Sequence, residues 1–192
     1  MHKLSEHIQE SKLADLINHK YPDDEVKSAV WDYVAGYTTC VNRYLRNGRT
    51  NSVKIVTDYL DQAFQDKMKI DVYRTVDWNY FKERYGITKE NIDSKIGSVI
   101  LNKGYMSTSS EFKSPWAGHW GKNDLVMHIV SESDYPCIDI NKMFPGDKEI
   151  DCSDQKEILL PRSTRLKLKG YEIKNEPPFQ KEGTYIIEME II

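Results

Sequence analysis

The chain has 192 residues, 39% of them hydrophobic, which suits one buried core of ordinary domain size. A formal charge of -3 and a pI near 6.0 argue against the basic footprint of a nucleic-acid binder, so no nucleic-acid partner is expected. Cys40, Cys137 and Cys152 are odd in number and form no CxxC pair, and His2, His7, His19, His119 and His128 show no paired metal spacing, so neither a disulfide framework nor a metal is expected.

Leu4, Ile8, Leu13, Leu16 and Ile17 make an amphipathic helical stripe that Lys20-Tyr21-Pro22 interrupts. It lacks the apolar core of a signal peptide, and no stretch reaches the ~20 apolar residues of a membrane span. Pro22 with Asp23, Asp24 and Glu25 opens a second helix, with Val26, Ala29, Val30, Tyr33, Val34 and Tyr37 inward and Val41, Tyr44 and Leu45 extending it to Gly48. A third begins near Ser52 and carries Val56, Tyr59, Leu60, Ala63 and Phe64 on one side. After Lys67 the period becomes two, in IDVYRTV, VILN, GYMSTS, LVMHIV, CIDI, EILL, RLKL and YIIEMEI. The order predicts a single α+β domain over 1–192, mostly helical in 1–68 and mostly strands in 69–192.

Three polar features interrupt the apolar faces. Alternation in IDVYRTV places Arg74 in a row with Ile70, Val72 and Val76. A buried guanidinium needs an anion, and a carboxylate of the protein or a bound phosphate would serve equally. In GYMSTSS, Tyr105, Ser107 and Ser109 share one face while Met106 and Thr108 take the other; such hydroxyls are ordinary on a solvated face and become positioned donors if buried. In DCSDQKEILLPR, Gln155 and Glu157 sit two apart at the mouth of an apolar run closed by Pro161, so as strand residues they point the same way. A carboxylate there can hold a sugar hydroxyl and stabilise the cation that develops as a glycosidic bond loosens. An uncharged amide beside it suits another amide or a hydroxyl better than a guanidinium.

An arginine, a Ser-Thr-Ser strand and a Gln-x-Glu pair, in that order, resemble the mono-ADP-ribosyltransferase toxins. The resemblance is to the Rho-modifying clostridial exoenzymes in particular, and covers about residues 26 to 192. YTTCVNRYLR, LDQAF, VYRTVD, GYMSTS and QKEILLPRST carry it. It implies two mainly antiparallel sheets in a split β-sandwich flanked by N-terminal helices, with NAD as co-substrate in the cleft between them. Arg74 would then hold the NAD pyrophosphate, with Asn42 and Arg46 lining the same cleft. Ser107, Thr108 and Ser109 would run beside NAD, and Ser107 would hydrogen-bond Glu157, the residue that grips the nicotinamide ribose. Phe112, or Trp116 or Trp120 in the loop 109–122, is expected to touch NAD. Gln155 would orient the acceptor side chain, and Cys152, Ser153 and Asp154 belong to the loop that meets the target.

The implied setting is a bacterial toxin or effector, secreted or injected, that acts as a monomer in a host cytosol. It would transfer ADP-ribose to an Asn, Gln or Thr of a host protein, with a small GTPase as candidate. The segment KEIDCSD has no aromatic residue and the chain is acidic, two departures that leave the target open. Modification of a nucleic-acid base, NAD glycohydrolysis and a catalytically silent binding module stand as alternatives.

Overall fold

A computed structural model describes residues 25–112, 125–146, 156–175 and 183–192. The first amphipathic stripe lies outside the described residues.

The second helical pattern forms two helices, α1 (Glu25–Asp32) and α2 (Thr38–Arg46), joined by a wide π turn at Tyr33–Tyr37. A 3₁₀ turn at Thr50–Val53 leads into α3 (Lys54–Gln62). Ala29, Val30, Tyr33, Val41, Leu45, Val56 and Leu60 from these helices form one core with Tyr105, Ile138 and Leu159 from the strands. Each large apolar side chain buried there contributes roughly 1.5–3 kcal/mol.

All eight alternating runs form strands: β1 (Lys67–Val76), β2 (Val99–Asn102), β3 (Met106–Ser109), β4 (Leu125–Pro136), β5 (Ile138–Asp139), β6 (Glu157–Leu160), β7 (Thr164–Lys174) and β8 (Thr184–Ile191). Their order is β2-β7-β8-β4-β1-β3-β6-β5. Every neighbouring pair is antiparallel except β4 with β8. The two expected sheets are joined in one hydrogen-bonded system, but the seam is thin. β1 meets β3 through the single pair Tyr73↔Ser109, whereas β3 meets β6 through four pairs and β1 follows β4 along most of its length. Ile70, Val72, Val76, Met127 and Ile129 on one side of the seam share a core with Met106, Ile158 and Leu160 on the other. That shared core fixes the angle between the two halves.

Three short helices interrupt the strand-rich part. The one that matters for the site is α4 (Trp78–Tyr85); α5 (Ile92–Lys95) and α6 (Ile140–Met143) are single turns. Asp77 caps α4 by accepting from the Tyr80 N–H at 2.7 Å, and Gly86 ends it in the left-handed region at φ 67°.

Candidate active site

The sheet order sets β1, β3 and β6 side by side, the three strands that carry Arg74, the Ser-Thr-Ser run and Glu157. Tyr73 stands opposite Ser109, and Ser109 opposite Glu157. Glu157, at 8% exposure, is a buried carboxylate at the first position of β6. The resemblance pointed to Ser107 as its partner, but in register Ser107 faces Leu159 and lies on the diagonal, while Ser109 is directly across. Just before Glu157, Lys156 adopts φ 48°, a left-handed backbone that costs a lysine roughly 1–2 kcal/mol. Its carbonyl accepts from the Ser110 N–H at 3.0 Å, which pins the sharp turn that presents Glu157 at the end of the strand.

The remaining polar groups of β3 are held within the protein. Thr108 Oγ1 donates to the Ile158 carbonyl at 2.6 Å, and Ser109 Oγ accepts from the Glu111 N–H at 3.1 Å. Phe112 stacks edge-on against Tyr73, with ring centroids 5.0 Å apart, in a cluster with Val126 and Ile186. Tyr73 and Arg74 are consecutive strand residues and point to opposite faces, so this ring lies on the side of β1 away from the Arg74 side chain.

Arg74 donates through Nη1 to the Ser107 carbonyl and is hydrogen-bonded to the Tyr80 hydroxyl. Its Nε is buried with no partner. Among the described residues no carboxylate pairs with this half-buried guanidinium. Burying a donor without an acceptor costs roughly 1–3 kcal/mol, a cost that a ligand's oxygen would remove.

Two more guanidiniums surround the same phenol. The Cζ atoms of Arg46, Arg74 and Arg84 lie 6.0, 5.8 and 4.9 Å from the Tyr80 ring centroid. Burial pulls Arg46 below the usual arginine value, and repulsion from Arg84 and Arg74 adds to it, with only Tyr80 and Tyr33 opposing. Burial by itself would raise the Tyr80 phenol, but Arg74, Arg46 and Arg84 together bring it below its ordinary value. The region is strongly electropositive.

Tyr33, the first residue of the π turn, marks where these groups converge. Burial raises its phenol well above the ordinary value against a hydrogen bond from Asn42, and Arg74, Glu157 and Arg46 are all close enough to act on it. Asn42, at 3% exposure, is committed inside the protein. Its Nδ2 donates to the Tyr33 hydroxyl at 2.8 Å and to the Tyr105 carbonyl at 3.1 Å, and its Oδ1 accepts from the Tyr105 N–H at 2.8 Å. Asn42 therefore anchors the start of β3 to α2. The close approach requires Gly104, because a Cβ there would fall 2.3 Å from Asn42 Oδ1.

The motifs LDQAF and PRST meet in a second structural clamp. Asp61 receives both Nε and Nη2 of Arg162 and the Tyr105 hydroxyl, the last at 2.7 Å. The Tyr105 ring is stacked on Phe64 and edge-on to Tyr33. Together the two clamps lock the start of β3 against α2, α3 and the π turn.

The structure thus brings together Arg74, Arg46, Ser109 and Glu157, with Ser107 on the diagonal. Gln155, Cys152, Ser153, Asp154, Trp116 and Trp120 lie outside the described residues. Tyr33, Tyr80 and Arg84 were not among the residues expected from the sequence. The octet WNYFKERY between Asp77 and Gly86 carries a helix signature that would have placed the last two on one helix face, four residues apart.

Arg74 with its buried free donor, the hydroxyl-lined strand β3 and Glu157 thus stand together on three adjacent strands. Residues 8–191 match the family model of the ADP-ribosyltransferase exoenzymes. Among solved structures, the chain is similar to Plx2a, an ADP-ribosyltransferase toxin from Paenibacillus larvae, at TM-score 0.69 and 17% identity, covering 99% of this chain and 96% of that one. C3stau2 from S. aureus, solved with NAD, gives 0.67 and 17% over 96% and 94%. The Clostridium limosum C3 exoenzyme gives 0.65 and 19% over 99% and 94%. No curated protein matches the chain by sequence. The chain belongs to the ADP-ribosyltransferase exoenzyme family and is an NAD-dependent ADP-ribosyltransferase.

Proposed function

We propose that this enzyme transfers ADP-ribose from NAD to an Asn, Gln or Thr side chain of a host protein, with a small GTPase of the Rho type as first candidate. The observation that carries the reading is the alignment of Arg74, Ser109 and Glu157 on adjacent strands, with the Arg74 Nε buried and unpartnered. Arg74 and Arg46 hold the dinucleotide's pyrophosphate by charge-assisted hydrogen bonds. Glu157 binds the nicotinamide ribose and stabilises the positive charge that grows on it. The bond from ribose C1′ to the nicotinamide nitrogen breaks and nicotinamide leaves with the bonding pair. The acceptor's nitrogen or oxygen then bonds to C1′ and gives up its proton. Gln155 orients that acceptor, and residues 152–154 meet the target protein. Ser109, and Ser107 on the diagonal, keep Glu157 in place. The setting proposed is a secreted or injected bacterial effector that works in a host cytosol.

Biotin-labelled NAD in a eukaryotic lysate tests the acceptor. Label on Asn, Gln or Thr of a small GTPase is expected, and label on Arg would overturn the acceptor class while leaving the transferase.

A further inference from the structure

Resting on the NAD reading above, we propose that Arg84 is a third phosphate-binding residue of this enzyme and that Tyr80 is the positioning residue that gathers Arg46, Arg74 and Arg84 into one pyrophosphate cradle. The three guanidiniums come from different elements, Arg46 from the end of α2, Arg74 from β1 and Arg84 from α4. All three have their Cζ within 6.0 Å of one ring centroid. An ordinary helix pair explains only part of this. Tyr80 and Arg84 are four residues apart on α4, and such a cation–π contact on a helix surface is common and worth roughly 0.5–1 kcal/mol. It gives no reason for a strand arginine and an arginine from another helix to converge on the same ring.

Charge supplies that reason. Among the described residues no carboxylate pairs with Arg46, Arg74 or Arg84, so three like charges face one another across a phenol. Such an assembly is self-repulsive until an anion enters it. A pyrophosphate brings two negative charges and several acceptor oxygens, and a guanidinium fork matches that geometry. Tyr80 does more than stack. Its hydroxyl is hydrogen-bonded to Arg74, while Arg74 Nη1 is held by the Ser107 carbonyl, so the fork cannot turn and its Nε stays open for a ligand oxygen. Arg84 is exposed and can reach a ligand settled on the other two.

The test measures NAD and inorganic pyrophosphate binding by calorimetry for the unaltered enzyme, Arg74→Ala, Arg84→Ala and Arg84→Lys, with melting temperatures as the folding control. Arg84→Ala is expected to weaken both ligands about tenfold without changing the melting temperature, and Arg84→Lys to recover part of the loss. In steady-state kinetics, Tyr80→Leu is expected to raise KM for NAD with little change in kcat, and Tyr80→Phe, which keeps the ring but not the hydroxyl that holds Arg74, to recover only part of it. Arg84→Ala that binds both ligands like the unaltered enzyme, while Arg74→Ala does not, overturns the third arginine and leaves the NAD reading intact. Tyr80→Leu with unchanged KM overturns the positioning role. An unaltered enzyme that binds no NAD overturns the reading on which the proposal stands.

Discussion

Replacing Gly104 with alanine tests how the helical layer holds β3 and the strands beside it. Gly104 is not in the left-handed region, so alanine is opposed there by space alone. Its Cβ would lie 2.3 Å from Asn42 Oδ1, 2.8 Å from Cγ and 3.3 Å from Cβ. Asn42 is buried and must rotate away, which breaks its two bonds to the Tyr105 backbone and its bond to the Tyr33 hydroxyl. At about 1 kcal/mol each, three such bonds amount to ~3 kcal/mol. For a chain of this size that lowers the melting temperature by roughly 6–12 °C. Asn42→Ala removes the same three bonds and costs a similar ~3 kcal/mol. The double substitution separates this account from a general intolerance of the loop. With the amide gone the methyl has nothing to strike, so the pair should cost about as much as either alone, a coupling of ~3 kcal/mol between neighbouring residues. Urea unfolding of the four proteins measures it. Additive losses would refute the account, because they would mean that the alanine methyl meets something other than Asn42.

Further outcomes follow from the second clamp and the buried phenols. Asp61→Ala leaves Arg162 without its partner and the Tyr105 hydroxyl without its carboxylate; side-chain exposures of 38% for Asp61 and 31% for Arg162 weaken the effect relative to a fully buried pair. Urea unfolding should show a loss of about 1–2 kcal/mol, short of the cost of breaking a buried pair, and the double variant with Arg162→Ala should lose less than the sum. Burial raises the phenols of Tyr33, Tyr85 and Tyr105 in the folded protein, whereas in the unfolded chain they ionise near their ordinary value of 10.0. A folded state that keeps protons which the unfolded state gives up loses stability as pH rises past that value. Part of the phenolate absorbance should therefore appear only together with loss of circular dichroism, and its full appearance before unfolding would contradict the burial.

Much of this architecture was legible because its signals are local. Period-two alternation marked all eight strands, and the order of arginine, Ser-Thr-Ser and glutamate singled out Arg74 and Glu157 as candidates from residue types that an apolar face does not otherwise tolerate. The helices α1 and α2 were read as one, since a π turn preserves the apolar stripe while widening the backbone. The helix α4 was missed between strands even though Asp77 and Gly86 cap it, because the alternation of β1 runs up to its first residue. Long-range contacts left no such mark. Asn42 finds Tyr105 and Asp61 finds Arg162 across 63 and 101 residues, and nothing near either residue says whether its polar group serves a ligand or the fold. The pairing of Ser109 with Glu157 was equally hidden, because Ser107 and Ser109 share one face and only a two-residue difference in register decides which of them stands opposite the carboxylate. The three arginines around Tyr80 arise from a strand and two helices that only the folded chain brings together.

The division of labour between Arg74 and Glu157 is tested most directly by measuring NAD affinity and nicotinamide release side by side in the unaltered enzyme, Arg74→Ala and Glu157→Gln. Glu157→Gln should bind NAD nearly as well as the unaltered enzyme and release at least a hundredfold less nicotinamide, on the order of what loss of one preorganised electrostatic contact costs. Arg74→Ala should lose affinity first. Nicotinamide release by Glu157→Gln at the unaltered rate would contradict the assignment of the chemistry to this carboxylate.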